Sequence, residues 1–434
     1  MTSFELGVIV AVLGGVLACT MRSLGLGMVA VLTVGYFHGV IRANYLGIAT
    51  TFMFDAAIFG LYLGFFIGRS RDAGGIWRTA AGQWTLALIA WPVLLTLIPV
   101  NHFLVQAVAL RATVWFLPVM LVATRLRADD LTVIARGLAV LNLLALGGGL
   151  YIYRNGVESL YPDNAVTQMI YRSNDVAGYQ FRRVPSFFLS SHAYGGAMLV
   201  SLPFLLGVVF GRRSLTVDRI LTTLGTFAAI GGIMLCAARV PAVQFVLAAF
   251  VAWFVSKLHP GVGIVAAVVM SAVVAIALDN ERLQRVLSLA DTEMVSDRLQ
   301  VSANETFLEL MVDYPAGAGM GSSYGTSIPF FLARYAPRAI GLENEYSRIM
   351  VDQGLVGLGL WLAFLVWMLH RPPPVRFRVP WGLGVVMMYA LVLVIWCTAF
   401  TGAGTLSAVP ASVLLLVQMG VLLRVREVTR ASKS

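Results

Sequence analysis

Arginines stand out in this sequence wherever the chain is otherwise apolar. Arg239 lies between Cys236 and Pro241, at the junction of two apolar runs with almost no loop between them. An arginine at or near membrane depth is costly unless it is paired or faces water. We therefore predict that Arg239 binds an anion in an outward-facing cavity. The alternative is an arginine that snorkels to the outer lipid headgroups.

Four further basic residues have the chemistry of an anion site. Arg182 and Arg183 are adjacent and precede another apolar run. A guanidinium fork binds phosphate oxygens bidentately, so the pair favours a phosphate-rich ligand, with headgroup anchoring as the alternative. His192 could pair a phosphate or carboxylate, although a packed histidine is favoured there. Arg298 stands at the start of a predicted loop helix, where an exposed helix-face charge is the usual alternative.

Carboxylates precede and enter a late apolar run. Glu343 and Glu345 stand at its outer lip, and Asp352 lies about one turn inside it. A carboxylate beside apolar surface can have a raised pKa and act as a general base, and this role is open to Glu343. An acid in the first turn of a helix, favoured by the helix dipole, is the competing interpretation, strongest for Glu345. Asp55 and Arg111 lie at similar depth and predict a structural ion pair, or else a transporter-like relay.

Motifs for metal or nucleotide chemistry are absent from the sequence. It contains no P-loop, no HExxH, no paired CxxC and no cluster of metal ligands. We therefore expect no metal site and no cofactor. Outward arginines indicate that a diphosphate leaving group would be neutralised by guanidinium groups.

The composition excludes a soluble enzyme. Of the 434 residues 59% are hydrophobic and 12% are charged, and the mean hydropathy is +0.83. Soluble domains carry roughly 25% charged residues. The predicted class is therefore an all-α membrane protein. Its net charge of +10 fits the orientation signal of cytoplasmic loops and attraction to anionic lipid, and nucleic-acid binding is not expected.

Thirteen apolar runs predict 12 or 13 transmembrane helices in a single membrane domain covering residues 1–434. Twelve spans result if the first two short runs form one irregular unit. A span needs about 20 apolar residues. The runs fall near residues 6–20, 24–40, 50–67, 80–100, 103–123, 131–152, 187–210, 219–238, 240–256, 261–278, 349–369, 381–400 and 407–423.

Basic clusters at every second boundary predict the orientation. Positive charge on short loops marks the cytoplasmic side, so the C-terminus is expected in the cytoplasm. The long loops 153–186 and 279–348 then face outward, into the periplasm of a bacterium. Within the second loop, apolar residues at helical spacing predict an amphipathic helix near 296–312, followed by a glycine turn. That helix would lie at the membrane surface or pack within the loop.

Taken in order, four segments between about residues 180 and 370 resemble the O-antigen ligase and O-antigen polymerase superfamily. They are Arg183-Val-Pro-Ser-Phe-Phe with His192 and Gly195; Ala238-Arg239; Arg298 followed by Tyr314-Pro315 and Gly317-x-Gly319; and Asn344-x-Tyr346 with Asp352-x-Gly354-Leu-Val-Gly357. The resemblance implies a helical bundle of the lipid-sugar glycosyltransferase (GT-C-like) type, with a periplasmic loop as a lid. Membership implies action on undecaprenyl-diphosphate-linked glycans at the bacterial inner membrane.

The resemblance also implies roles for particular residues. Arg239 and Arg298 look like the arginines that hold the donor diphosphate, and Arg183 looks like a further polar residue of that cavity. The family's ligases place a histidine immediately before Asn344-x-Tyr346, where this chain has Glu343. That difference favours a polymerase or another exopolysaccharide-type member, in which Glu343 orients or deprotonates the acceptor hydroxyl.

The expected partners follow from that chemistry. They are an undecaprenyl-diphosphate-linked oligosaccharide, an acceptor glycan and the lipid bilayer, and the resemblance allows a chain-length regulator. Two other functions stay open: a ligase that transfers glycan to lipid A core or protein, and, from a different class, a secondary transporter or flippase. A transporter would favour inverted repeats and broken spans at the membrane centre, whereas the polar residues here crowd the outer lip.

Overall fold

A computed structural model confirms the all-helical class. It describes residues 3–68, 75–171, 182–211, 216–256, 306–323, 329–335, 342, 344–373, 381–402 and 404–431. Within these ranges there is no β-strand, and nine helical segments are long and apolar enough to cross a membrane. Three shorter apolar helices accompany them. The chain is thus a multi-pass helical membrane protein.

The helices follow the apolar runs closely. In chain order they are α1 (Ser3–Arg22), α2 (Leu24–Asn44), α3 (Ile48–Gly68), α4 (Ala80–Thr96), α5 (Phe103–Val114), α6 (Pro118–Ala123), α7 (Ala128–Asn155), α8 (Gln168–Tyr171), α9 (Ser191–Val209), α10 (Thr216–Leu235), α11 (Arg239–Ser256), α12 (Thr306–Asp313), α13 (Glu345–Leu369), α14 (Gly382–Cys397) and α15 (Ala411–Ala431). The predicted run 261–278 lies outside the described residues.

The first two apolar runs form two separate helices and not one irregular unit. Only Ser23 separates α1 from α2, and Asp130 at the start of α7 holds this junction. Its carboxylate accepts hydrogen bonds from Ser23 Oγ at 3.1 Å and from Gly25 N at 3.0 Å. Helix α1 packs tightly on α3, where a methyl group added at Gly60 would lie 2.6 Å from the carbonyl oxygen of Leu13.

Helices α9, α14 and α15 pack on one another, and α13 joins them where the ring centre of Trp361 lies 5.4 Å from that of Trp396. Trp361, Phe204 and Met388 are buried there. One polar chain crosses this apolar region: Tyr36 Oη donates to Asn142 at 2.7 Å, and Asn142 Nδ2 donates to Ser201 Oγ at 2.8 Å. Each polar group is paired, so the chain links α2, α7 and α9 without leaving a buried group unsatisfied.

Several helix ends and their loops meet at one end of the bundle, which we call the site end. It is formed by residues 38–51, 98–103, 155–171, 182–192, 236–241, 315–323, 344–348, 398–402 and 404–410. The contacts that join them include Val40 N to Phe187 O at 3.0 Å and Asn101 Nδ2 to Met320 O at 3.0 Å. The sequence predicts that this end faces outward.

The described part of loop 279–348 packs against the bundle. Of the predicted helix 296–312 the structure describes residues from 306 onward, which form α12 (Thr306–Asp313). Helix α12 lies against α13, and its Leu310 is buried. The glycine turn follows as predicted, with left-handed φ angles of 86°, 96° and 89° at Gly317, Gly319 and Gly321.

Candidate functional site

Arg239 is the first residue of α11 and is half-buried at the site end. The turn that precedes it is tight, with a left-handed φ of 50° at Ala237. The turn packs against the start of α9: a methyl group added at Gly195 would lie 2.7 Å from Cys236 Sγ and 3.1 Å from Pro241 Cγ. The predicted position of Arg239, between two helices with almost no loop, is confirmed.

Arg183 and His192 form a pair beside this junction. Arg183 Nη1 lies 2.9 Å from His192 Nε2. His192 is exposed in the first turn of α9, where it contacts Arg183, so the expectation of a packed histidine is wrong. Since His192 is three residues before Gly195, which contacts Cys236 and Pro241, this pair and Arg239 share one corner of the site end.

Arg182 has different partners from its neighbour. Its guanidinium forms an ion pair with Glu158 and stacks 4.4 Å from the ring centre of Tyr171. Both partners belong to loop 153–186. Arg182 therefore holds that loop together, and its predicted role in substrate binding has no support from these contacts.

Tyr161, which sequence reasoning missed, fixes the segment that leads into α9. Its hydroxyl donates to the carbonyl oxygens of Ser186 at 2.7 Å and Phe188 at 2.9 Å. Ser186 has a left-handed φ of 52° and is buried. Burial raises the pKa of Tyr161 well above its usual value, so the phenol keeps the proton that it donates.

Asn344 and Tyr346 are engaged in packing α13. Asn344 caps the helix, its Oδ1 accepting from Ser347 N at 2.5 Å. Tyr346 Oη donates to the carbonyl oxygen of Trp396. Both residues were predicted to bind substrate, but these hydrogen bonds go to the protein itself.

Glu345 is fully buried and organises the neighbouring loop. Its carboxylate pairs with Arg348, Oε1 lying 2.5 Å from Nη2, and accepts from the backbone N of Gly404 at 2.7 Å and Thr405 at 3.1 Å. The interpretation of Glu345 as a first-turn acid is confirmed. The predicted base Glu343 and the predicted diphosphate ligand Arg298 lie outside the described residues, so their roles stay predictions.

A cavity of about 170 Å³ opens among α2, α3, α5, the start of α9 and the segment before α15. Its polar lining includes Arg42, Arg111, His38, Thr51, Ser190 and Ser407. Apolar residues such as Ala112, Phe116 and Phe188 complete it. The cavity therefore has an apolar wall on one side and an excess of basic side chains on the other parts of its lining.

The predicted ion pair between Asp55 and Arg111 is confirmed at this cavity. Both oxygens of Asp55 accept from Arg111, through Nε at 2.5 Å and through Nη2. Arg42 and His38 were not identified from the sequence, although a basic pair four residues apart at the end of the second apolar run was a usable signal, because residues i and i+4 share a helix face. No group of three metal-ligating side chains occurs among the described residues.

Comparisons with known proteins add no identification. No family model, no curated protein and no solved structure matches the chain. The fold and the site thus define the class, a multi-pass helical membrane protein with arginine-rich surfaces and a basic cavity at one end of its bundle.

Proposed function

We propose that the protein is a metal-independent glycosyltransferase of the membrane. It would polymerise an O-antigen or exopolysaccharide by transferring glycan from an undecaprenyl-diphosphate-linked donor to an acceptor sugar hydroxyl. The observation that supports this most directly is the corner formed by Arg239 and the Arg183–His192 pair, where cationic groups stand at the end of a membrane bundle. Guanidinium groups suit phosphate oxygens because they bind them bidentately.

The proposed reaction is a direct displacement. The acceptor oxygen attacks the anomeric carbon, the bond from that carbon to the diphosphate oxygen breaks, and the acceptor proton passes to Glu343. Arg239 and Arg298, with Arg183, neutralise the charge that develops on the departing lipid diphosphate. The product is a longer glycan, and the lipid diphosphate leaves.

The proposed setting is the bacterial inner membrane. The site end would face the periplasm and the C-terminus the cytoplasm, as the basic loop clusters predict. The bundle would be of the GT-C-like type, with loop 279–348 over the site. A lipid-linked donor would enter from the side of the bundle, its diphosphate at the outer membrane boundary.

Replacement of Arg239 tests the proposal in cells. Arg239→Ala should abolish long glycan chains while membrane protein levels stay normal, and Arg298→Ala should do the same. The matched control is Arg154→Ala, because Arg154 is an exposed arginine in the last turn of α7 at the same end. Normal polymer in both arginine variants would refute the assignment.

The accumulated products separate the related functions. If the protein is a polymerase, deletion of its gene should leave single repeats on the carrier in place of a ladder of long chains. If the protein is a ligase, its deletion instead leaves the ladder of long chains on the carrier, and the chains are missing from lipid A core or protein. Flux into proteoliposomes without a covalent product would identify a transporter.

A further inference from the structure

We propose that the cavity lined by Arg42, Arg111 and His38 is a binding site for a phosphate group. The inference does not depend on the proposed glycosyl transfer, since it concerns residues outside the Arg183–Arg239 corner and can be tested by binding alone. Its source could be a phosphate in solution or the phosphate of a lipid headgroup, and both have the same chemistry at the cavity wall.

The charge of the cavity is unbalanced. Arg111 uses Nε and Nη2 to bind Asp55, which neutralises that guanidinium. Arg42 has no carboxylate partner among the residues that the structure describes, and its buried Nε has no hydrogen-bond partner there. A buried cation without a partner is costly. One full positive charge therefore remains at the cavity wall, where an anion would offset it.

The lining also offers hydrogen bonds suited to a phosphate group. His38 Nε2 lies 3.0 Å from the Thr50 carbonyl oxygen, which accepts its proton and leaves Nδ1 as the acceptor of a neutral ring. Ser190 Oγ accepts from Ala193 N at 3.1 Å, so its hydroxyl proton remains for another acceptor. Arg42 as donor, Ser190 as donor and His38 as acceptor match a phosphate that carries one proton.

The volume of the cavity and its apolar wall also favour a phosphate group as the ligand. The volume of about 170 Å³ far exceeds the roughly 10–15 Å³ that one water requires, so a phosphate group fits. Phe116, Phe188 and Ala112 exclude water from one side, and a charge-assisted hydrogen bond is stronger in such surroundings. A phosphate monoester that keeps one proton carries a single negative charge, which matches the one positive charge left at Arg42 once Asp55 has neutralised Arg111.

The test measures ligand-dependent stability of the purified full chain in lipid nanodiscs. The two probes are inorganic phosphate against chloride at equal ionic strength, and phosphatidic acid against phosphatidylcholine as the nanodisc lipid. The variants are Arg42→Gln, which removes the charge, and Arg42→Lys, which keeps it. The control is Arg22→Gln, because Arg22 is an exposed arginine at the opposite end of the neighbouring helix α1.

We expect phosphate or phosphatidic acid to raise the Tm of the native chain and of Arg22→Gln. Arg42→Gln should bind roughly tenfold or more weakly, the loss of one charge-assisted contact, and Arg42→Lys should lie between. Stabilisation by inorganic phosphate indicates a soluble source, and stabilisation by phosphatidic acid alone indicates a lipid source. The proposal is overturned if neither probe stabilises the native chain, or if Arg42→Gln responds as the native chain does.

The design keeps the two proposals separate. If Arg42→Gln does not fold, the Tm shifts of the native chain and of Arg42→Lys with each probe still decide the outcome. Binding is measured without turnover, so a failure here leaves the proposed glycosyl transfer untouched, and a chain that makes no polymer can still bind phosphate at Arg42.

Discussion

At the scale of single residues, adjacent charges in this chain have unlike partners. Arg182 is paired within a loop, whereas Arg183 contacts His192 at the start of α9. Glu345 is buried with Arg348, whereas Glu158 is largely exposed beside Arg182. Burial decides the energetic weight of each pair, because an exposed ion pair is screened by solvent and a buried one is not.

Glu345→Gln should destabilise the protein strongly. The change leaves the Arg348 guanidinium buried, with Asp352 4.0 Å away as its remaining acid. Breaking a buried ion pair costs about 3–5 kcal/mol. The control Glu158→Gln, at an exposed pair, should cost about 1 kcal/mol or less. Thermal unfolding of both variants in one detergent makes the comparison, and equal Tm losses would contradict it.

Tyr161→Phe should weaken the segment that leads into α9. Two buried carbonyl oxygens, those of Ser186 and Phe188, lose their donor, which costs about 1–3 kcal/mol. The exposed Tyr151 supplies the control Tyr151→Phe, for which little change is expected. The measurement is the Tm of each variant at pH 8.

The same pair of variants tests the pKa of Tyr161. Its folded-state pKa is raised by burial, so its stabilising effect is complete below the usual tyrosine pKa of about 10 and is lost as the pH rises above it. The Tm difference between the native chain and Tyr161→Phe should therefore shrink above pH 10. A difference that grows with pH would have the wrong sign.

At the scale of elements, the glycine turn after α12 docks into a break in α13. Gly354 has a φ of 68° inside that helix. Backbone hydrogen bonds join the two segments, from Ala318 N to Val351 O at 2.7 Å and from Leu355 N to Pro315 O at 2.9 Å. Asp352 adds a further link, accepting from Ser323 N at 3.0 Å and Ser323 Oγ at 2.7 Å. The break in α13 thus positions part of loop 279–348.

Gly354→Ala should disrupt this docking. A methyl group there would lie 2.5 Å from the carbonyl carbon of Ala316, and a left-handed residue with a side chain is strained by about 1–3 kcal/mol. Gly359, in the same helix, has no atom within 4 Å of an added methyl. Gly359→Ala should therefore be neutral or stabilise by up to about 1 kcal/mol. Thermal unfolding of the two variants decides, and an equally stable Gly354→Ala would argue against the docked turn.

At the scale of the whole molecule, some of the helices present apolar side chains on the outside of the bundle. Helices α1 and α11 are the least buried of the candidate spans, at 11% and 17% of their most apolar windows. Large apolar side chains such as Phe254 and Phe4 are exposed on them. Such surfaces are stable in contact with lipid, because lipid tails are as apolar as the side chains of a protein core.

Cysteine labelling should establish which end faces outward. In a background without the three native cysteines, Asn44→Cys lies at the site end and Asp129→Cys at the opposite end, and both positions are exposed. A membrane-impermeant thiol reagent added to intact cells, or to spheroplasts if an outer membrane blocks it, should label position 44, and position 129 only after lysis. The reverse pattern would overturn the orientation expected from the basic loops.

Much of the bundle could be predicted because a span is a local property. About 20 consecutive apolar residues must form a helix in a bilayer, whatever their neighbours are. The ion pair of Asp55 with Arg111 was also predictable, because two opposite charges at the same depth in a membrane are stabilised when they pair. The positions of Arg182, His192, Asn344 and Tyr346 were visible, but their partners were not.

The sequence by itself determined the helical class, the location of the apolar runs and which charged residues lie within those runs or at their ends. Only the tertiary structure decided which charges meet. Arg42 on α2 reaches a cavity shared with Arg111 on α5 and with the segment before α15, which are far apart along the chain. The physical reason is that the energy of a charge depends on its burial and its nearest partners, and both are set by packing between helices.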